Sequence, residues 1–500
     1  MKIHRMAVFV CLLLGSLAMA QYDVGPAHPA IPSFADILDD FDHGLLDIDD
    51  LRQMGLSVFS TPFNTHDGLG DGPFDSSETD TVAFGQRPTL QGNGLFLRVN
   101  GLDAQSCNEC HTIVSNRTRP PKLGFAGVGG VVQNAIIMPS LIDVADGLDG
   151  RIVYQPGHDP DLPLVFDGVA DYNGRFANPP FLFGGGGVEL LGKEMTQDLQ
   201  ELLALARKSS SGTVVSLDTH GVNFGSITSL GGGDVQLDVE GIGPEDITGI
   251  DPEEVLIVRP FGRKGENFSM RDFDRGAMQF HFGIQPVEVV DPNEVGGIDA
   301  DGDGVTEEVT VGEMSVLHIF DVTNPPPRIR PFSPLAGSGF QKFMDIGCGD
   351  CHMPELRTNS KFVPLAHPEV AHDPDANVYM EIDLSDFGFR RVPGGGIKVP
   401  MFADLKRHNM GPRLAETFER GEIANEEFTT ARLWGIADTA PYLHDGRATT
   451  LAQAIEFHGG EAQSARDAFL ALSDNNQEKI IHFLRSLRTP RRANEDLLPL

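Results

Sequence analysis

The chain has 500 residues, of which 38 are basic and 72 acidic, so its formal net charge at pH 7 is -34. The negative electrostatic field of such a chain repels nucleic acid and anionic membrane surfaces. The charge favours binding of a basic partner, or it serves only to keep the protein soluble. The length allows about two to four domains. After the first 20 residues, no stretch is long and apolar enough to cross a bilayer, so no transmembrane segment is expected.

The first 20 residues have the features of a secretory signal peptide. Basic residues precede an apolar run at positions 6–17, and Ala18, Met19 and Ala20 form a small-residue cleavage site. The run is shorter than the roughly 20 residues that a membrane-spanning helix needs. We therefore expect cleavage near Ala20 and a periplasmic protein, with a buried N-terminal helix as the alternative.

Two C-x-x-C-H sequences stand 241 positions apart, at residues 107 and 348. They consist of Cys107, Cys110 and His111, and of Cys348, Cys351 and His352. In c-type haem attachment two thiols bind the haem covalently and the adjacent histidine ligates the iron. The fifth cysteine lies in the leader, which leaves none for a disulfide. A zinc ribbon would place its pairs about 15–20 residues apart, and a redox dithiol would need a βαβ context, so the pattern predicts two covalent haems c.

The segment between the motifs has a different character. Residues 210–258 alternate apolar and polar side chains and contain three consecutive glycines, which is typical of short strands and turns. Three prolines at 325–327 indicate a stiff joint. We predict a mainly α fold of two cytochrome c-like haem domains, at 21–330 and 331–500, with long loops. The first would carry a small β-rich insertion at about 210–258.

Residues 299–304 have the D-x-D-x-D-G pattern with which an EF-hand calcium loop begins. Asp299, Asp301 and Asp303 would supply carboxylate ligands, and the glycine permits the sharp turn. Position 12 is Thr310, where an EF-hand has a bidentate glutamate. The incomplete loop predicts a structural calcium ion ahead of the second haem unit, with an ion-free acidic turn as the alternative.

The C-terminal region is helical and contains candidates for a distal iron ligand. His458 ends an apolar helical face that begins at Leu451, and two glycines follow it. His408 and Met410 are rivals for the same iron. A last helix is expected after Asp474. If both irons have six ligands the protein is an electron carrier, whereas one open iron makes an enzyme that binds peroxide or oxygen.

Two further polar residues, His444 and Arg447, lie in the sequence Pro-Tyr-Leu-His-Asp-Gly-Arg at 441–447. An arginine pairs well with a carboxylate such as a haem propionate. Both residues are therefore predicted to bind a haem propionate or to serve a structural role.

Several segments in combination resemble the di-haem oxidoreductase family, also called thiol oxidoreductase-like, within the bacterial di-haem cytochrome c peroxidase and MauG superfamily. These segments are residues 105–111, 178–191, 258–264, 403–411, 433–436, 440–448 and 455–462. The resemblance runs from about residue 60 to 490. It implies the cytochrome c-like fold and the two haems that the motifs also predict.

The resemblance implies different roles for the two haems. The haem on His111 would be high-spin and peroxidatic, and the haem on His352 would be low-spin and transfer electrons. His458 falls where the peroxidases have a methionine ligand and MauG a tyrosine. Glu189 falls near the distal acid, where a carboxylate in a dry pocket can move a proton between peroxide oxygens. Glu194 is the second choice, and a solvent-exposed helix glutamate is the alternative.

The chain departs from the family pattern at one site. The family often has tryptophan where this chain has Arg263, and the only tryptophan of the chain is Trp434. An aromatic electron relay between the haems would therefore need another route. The strand-like insertion is also longer than is typical, which leaves the substrate open.

The residues and the resemblance together imply an exported peroxidase that reduces hydrogen peroxide. Its electrons would come from a small cytochrome c or cupredoxin. A MauG-like oxidase of a protein or organic substrate and a non-enzymatic electron-transfer cytochrome are the alternatives. A homodimer is compatible with the sequence.

Overall fold

The computed structural model describes residues 25–70, 104–111, 113, 136–141, 172–291, 293, 295–416 and 423–497. The signal peptide predicted at 1–20 lies outside these residues. The structure is mixed, with 36% helix and 15% strand. The prediction of a mainly α fold therefore holds only in part, because short strands occupy much of the chain between its helices.

Most helices of the described residues are short. In chain order they are α1 (Phe34–Asp42), α2 (Ile48–Ser60), α3 (Gly185–Lys208), α4 (Pro252–Val255), α5 (Met270–Ala277), α6 (Val287–Val290), α7 (Val311–Val322), α8 (Pro334–Asp345), α9 (Leu451–Phe457), α10 (Gln463–Ala471) and α11 (Asp474–Leu484). A π-helical turn, Met278–Phe282, continues α5.

The strands form small antiparallel sheets with the orders β1-β2, β3-β4-β5, β6-β10-β9, β7-β8 and β11-β12. Their bounds are β1 (Ile136–Leu141), β2 (Tyr172–Ala177), β3 (Val214–Thr219), β4 (Val222–Gly231), β5 (Asp234–Val239), β6 (Leu356–Arg357), β7 (Phe362–Ala366), β8 (Val378–Asp383), β9 (Arg390–Arg391), β10 (Ile397–Val399), β11 (Arg407–Asn409) and β12 (Glu427–Thr429).

Helix α7 lies at the centre of the larger hydrophobic core. Thr310 and Glu313 close its N-terminus with a capping box, and every residue of the helix is buried. Helix α2 packs so closely that a Cβ on Gly55 would lie 2.1 Å from the carbonyl oxygen of Val316. Because α7 is buried on all sides, each of its polar side chains needs a partner inside the protein.

The predicted β-rich insertion corresponds to strands β3, β4 and β5, which form a meander beside α3. Buried Leu217, Phe224 and Ile227 face the core, and neighbouring positions are exposed or partly exposed. Gly232 and Gly233 turn the chain between β4 and β5 with φ of 71° and 100°. Glycine adopts these left-handed values without steric cost, so the three-glycine run marks the turn.

The C-terminal helices enclose a second, smaller core. Helix α8 packs against α11 around Phe343 and Phe483. Thr450 and Gln453 form a capping box at the start of α9, and α11 begins at Asp474 as predicted. The sheets between β6 and β10 pack instead with the larger core. The domain boundary at 330/331 stays a prediction.

No helix among the described residues is long and apolar enough to cross a membrane.

Candidate haem-binding site

Both C-x-x-C-H segments line one continuous cavity of about 630 Å³. Each segment is a short 3-10 turn, Cys107–Glu109 and Cys348–Asp350. All four cysteines are free thiols. The cavity volume lies within the range of about 300–1,000 Å³ that is typical of cofactor and ligand pockets. The fold therefore brings the two sequence motifs, 241 residues apart, to one site.

At the second motif, the backbone fixes the orientation of the histidine ring. The Nδ1–H of His352 donates to the carbonyl oxygen of Phe402 at 3.1 Å, which leaves Nε2 for a metal. Burial, and then the neighbouring His458, lowers the pKa of His352 to about 4. The ring is therefore neutral at pH 7, which is the form that ligates a metal.

His458 faces His352 across this end of the cavity. It ends α9, where its Nδ1 bonds the carbonyl oxygen of Ala454 at 2.8 Å, and burial lowers its pKa. The ring centroids of His352 and His458 are 6.5 Å apart. Metal–imidazole bonds of about 2 Å place the centroids of two axial rings about 6 Å apart. The pair thus fits a haem iron between the two rings.

The two alternatives to His458, His408 and Met410, differ in whether they could bind an iron. His408, on β11, has both ring nitrogens occupied, each 2.8 Å from a carboxylate oxygen, of Asp404 and of Glu461. Burial opposes the charged ring, but these bonds raise the pKa of His408 to about 11. His408 is therefore an imidazolium with no nitrogen left for iron. Met410 lines the cavity, and its role as a ligand stays a prediction.

The two predicted propionate-binding residues lie in different surroundings. His444 lines the cavity and stacks on Phe428 at 4.5 Å between ring centroids. Burial lowers the pKa of His444 to about 4. The guanidinium of Arg447 bonds Asp445 and the carbonyl oxygen of Arg413, and this residue is not part of the cavity lining among the described residues.

The first motif has different neighbours. The ring of His111 meets Phe59 of α2 edge to face at 6.4 Å. Burial, and then the nearby His281, lowers the pKa of His111 to about 3, so this ring is also neutral at pH 7. His281 belongs to the π-helical turn after α5 and lines the same cavity. Such turns are frequent at functional sites.

Glu189, the predicted distal acid, lies outside the cavity lining as far as the described residues go. It is fully buried on α3, where it contacts Nζ of Lys193 at 2.7 Å and Nε2 of His318 at 3.0 Å, and accepts from the amide of Met270 at 2.8 Å. Burial opposes ionisation, but His318 and Lys193 hold the pKa of Glu189 well below its usual range. Its distal role stays a prediction. The second choice, Glu194, accepts hydrogen bonds from two backbone amides on another side of α3.

The structure brings a different carboxyl group to the cavity. Asp274 of α5 lines the cavity and hydrogen-bonds Asp321 of α7. Burial, and then repulsion between the two groups, raises the pKa of Asp274 well above its usual range. Sequence reasoning missed this residue because a single aspartate in a short amphipathic helix carries no motif.

The predicted calcium loop has the expected clustering of oxygen atoms. One carboxylate oxygen from each of Asp299, Asp301 and Asp303 lies within 4.8 Å of the others. Glu308 is 2% exposed and close to this cluster. Burial, and then the three aspartates, raises the pKa of Glu308 to about 9, although the amide of Gln285 donates to it. The sequence pattern missed Glu308 because it stands two residues before position 12.

Trp434 lines the cavity that contains both motifs. It is fully buried, and its Nε1–H has no hydrogen-bond partner among the described residues. Arg263, which stands where the family often has tryptophan, also lines the cavity and is paired with Glu416 at 2.5 Å.

Comparison with solved structures gives low scores. A hydrazine synthase of Kuenenia stuttgartiensis, pressurised with xenon, is 14% identical over 69% of this chain and 99% of its own, with a TM-score of 0.25. A MauG-like protein associated with microbial copper homeostasis is 14% identical over 63% of this chain and 94% of its own, with a TM-score of 0.24. TM-scores this low do not establish a shared fold.

The family comparison is more informative. No curated protein matches the chain. Residues 394–487 match the family described as "Di-haem oxidoreductase, putative peroxidase". This segment contains His408, Met410 and His458, and it completes the cavity that both C-x-x-C-H motifs line. The resemblance seen in the sequence is therefore confirmed for the C-terminal region, where residues 394–487 match the di-haem oxidoreductase family.

Proposed function

We propose that this chain is an exported di-haem c-type peroxidase that reduces hydrogen peroxide with electrons from a small redox protein. One observation carries the proposal: a single cavity has two C-x-x-C-H motifs with unlike surroundings. At the second motif two neutral histidines face each other, which suits a closed iron. At the first motif a buried carboxyl pair lies near the attachment cysteine, which suits an iron that is open to a substrate.

Each motif would attach one haem covalently through its two cysteines. His111 and His352 would be the proximal ligands, and His458 would close the second iron. Bound haem supplies an iron that changes oxidation state and, where one position is open, binds peroxide. The protein keeps the three imidazoles neutral by burying them, and the hydrogen bonds to Phe402 and Ala454 orient two of them.

The electron donor would be a small cationic protein, because this chain carries a net charge of -34. Charge complementarity mainly accelerates encounter, so turnover should slow as ionic strength rises. Export would produce a mature protein that begins near Gln21, and N-terminal sequencing of the secreted protein would test this. A homodimer is part of the proposal that light scattering would check.

We further propose that the 299–304 loop holds a structural calcium ion, with Glu308 as an additional ligand. The support is the gathering of Asp299, Asp301, Asp303 and the buried Glu308. At a hundredfold excess over its Kd, calcium would stabilise the fold by about 2.7 kcal/mol. Titration of chelator-treated holoprotein should release or absorb heat, and Asp301→Asn should abolish that signal. A heat-free titration would exclude the site.

The peroxidase proposal is tested by electron paramagnetic resonance and turnover on the same sample. After one-electron reduction we expect a high-spin ferric signal from the first haem, and two reduced donor molecules oxidised per peroxide. Two low-spin irons that persist after half-reduction would instead indicate an electron-transfer cytochrome. Peroxide consumption without donor oxidation, together with a modified protein or organic substrate, would favour the MauG-like alternative.

A further inference from the structure

We propose that Asp274 and Asp321 form the acid–base group at the His111 end of the cavity, where they hold one shared proton and exchange it with the peroxide. The inference rests on the proposed peroxidase function and adds the residues that move protons for it. Neither aspartate belongs to a sequence motif, and both are placed there by the packing of α5 against α7.

The first support is the contact between the two carboxyl groups. Asp274 is 8% exposed and Asp321 is 1% exposed, and their side chains are hydrogen-bonded. An ionised carboxylate only accepts hydrogen bonds, so two of them can bond each other only if one carries a proton. Asn324 also donates weakly to Asp321, with Nδ2 and Oδ1 3.4 Å apart. The pair therefore holds one proton between two oxygens.

The second support is an unpartnered oxygen. Asp274 lines the cavity together with Cys107 and His111, and its Oδ2 is buried with no hydrogen-bond partner in the part of the chain that the structure describes. Leaving a buried carboxyl oxygen unpaired costs about 1–3 kcal/mol, so a proton shared with Asp321 or a molecule bound in the cavity would satisfy it. Asp274 therefore contacts Asp321 of α7 and also lines the cavity.

The surrounding charges keep the proton on the pair at neutral pH. Burial raises the pKa of both aspartates, and the hydrogen bond between them raises the pKa of Asp274 and lowers that of Asp321, so the shared proton lies on Asp274. The charge of Glu189 on α3 raises the pKa of both aspartates, and Arg271 on α5 partly opposes this increase at Asp274. His318, one turn before Asp321 on α7, is held by Glu189.

The proposed chemistry balances in protons and electrons. Hydrogen peroxide takes up two electrons and two protons, its O–O bond breaks, and two waters form. The electrons come from the donor protein. The pair takes a proton from one peroxide oxygen and delivers one to the other, and the net two protons enter from solvent through the cavity. Such positioned proton transfer typically contributes 10²–10⁴-fold to a rate.

The pH dependence follows from the sign of these pKa shifts. At pH 7 the pair keeps its shared proton, because the pKa of Asp274 is raised well above its usual range. As the pH rises through the raised pKa of Asp274 the shared proton is lost, two buried carboxylates remain, and kcat/KM for peroxide should fall. Asp274→Asn should lower kcat/KM at pH 7 by about 10²-fold or more and remove this break. Asp274→Glu should restore part of the rate.

A test that needs no turnover is infrared spectroscopy of the holoprotein labelled with ¹³C at the aspartate side-chain carboxyl. Ordinary aspartates are ionised at pH 7, so a labelled carboxylic-acid band there reports the pair. We expect Asp321→Asn to shift this band and the double variant, with Asp274→Asn added, to lose it. Asp67→Asn is the matched control, because Asp67 is 1% exposed but accepts from backbone amides outside the cavity.

The outcomes separate the two proposals. If the wild-type protein does not reduce peroxide, the peroxidase function itself fails. If the wild type is active and Asp274→Asn, with full haem content, keeps its rate and pH profile, only the role of the pair fails. A labelled acid band that is unchanged in the double variant would show that no proton is shared there, whatever the activity.

Discussion

The two ends of the cavity differ in which polar side chains the protein holds in place. At the His352 end, backbone carbonyls orient His352 and His458, and a pair of carboxylates holds His408 as an imidazolium. At the His111 end, the conspicuous polar group is a pair of buried carboxyl groups. The comparison teaches that one fold can orient the histidines at one motif with local hydrogen bonds and bring acids from distant helices to the other.

The largest expected effect comes from removing the attachment thiols at one end. We expect Cys348→Ser with Cys351→Ser to remove the second haem alone, and Cys107→Ser with Cys110→Ser to remove the first alone, because each pair forms the thioether links of its own motif. Mass spectrometry of the denatured protein would show one covalent haem in each variant and two in the wild type.

The same variants test whether the two haems have different functions. Loss of the first haem should abolish peroxide reduction while the second still accepts electrons from the donor. Loss of the second haem should leave a first haem that binds peroxide but turns over slowly. A protein that retains full turnover without its first haem would contradict the assigned division of roles.

The next effect is a change of spin state at the closed end. His458→Ala should convert the second iron from low-spin to high-spin, because it removes the ring that faces His352 at 6.5 Å. His458→Met should keep the iron low-spin and raise its potential, since thioether ligation favours the reduced state. Electron paramagnetic resonance and redox titration measure the two results.

The matched variants are Met410→Ala and His281→Ala. Both residues line the cavity, and neither is a ligand in the proposed assignment, in which His458 closes the second iron. Unchanged spectra in both would support His458 as the sixth ligand and an open first iron. A new high-spin signal from Met410→Ala would identify that residue as the ligand, and one from His281→Ala would show that the first iron was closed.

The sequence predicted the closed end better than the open end. The two motifs, the cap at Thr450 and the placement of His458 after α9 are local patterns, since they depend on residues within a few turns of each other. The strands of the insertion were likewise predicted from alternation and three glycines. The extent of strand elsewhere was not, because β6 to β12 are only two to six residues long and carry no periodicity.

The open end depends on contacts between remote segments, which a single sequence does not reveal. Glu189 was selected through the family resemblance, but its helix places the carboxylate against Lys193 and His318. Asp274 and Asp321 meet because α5 packs on α7, 47 positions away along the chain. Glu308 was missed for a simpler reason, since it occupies a position that the EF-hand pattern does not use.

The smallest effect that we predict concerns Gly184, which caps the start of α3 and lies against Trp434 of the cavity lining. Its φ is 77°, and a Cβ there would lie 2.5 Å from Cη2 of Trp434. Gly184→Ala therefore adds two costs, a left-handed alanine of about 1–2 kcal/mol and overpacking of about 1–3 kcal/mol. Denaturant unfolding of the holoprotein measures their sum.

Gly232→Ala separates the two costs. Gly232 has a similar φ of 71°, but nothing lies within 4 Å of its Cβ position, so this variant suffers the left-handed strain alone. The difference between the two variants isolates the contact with Trp434. If that contact positions the indole for both ends of the cavity, Gly184→Ala should also perturb the spectra of both haems, while Gly232→Ala leaves both unchanged. Equal destabilisation by the two variants would mean that Trp434 moves aside without cost, although it is completely buried.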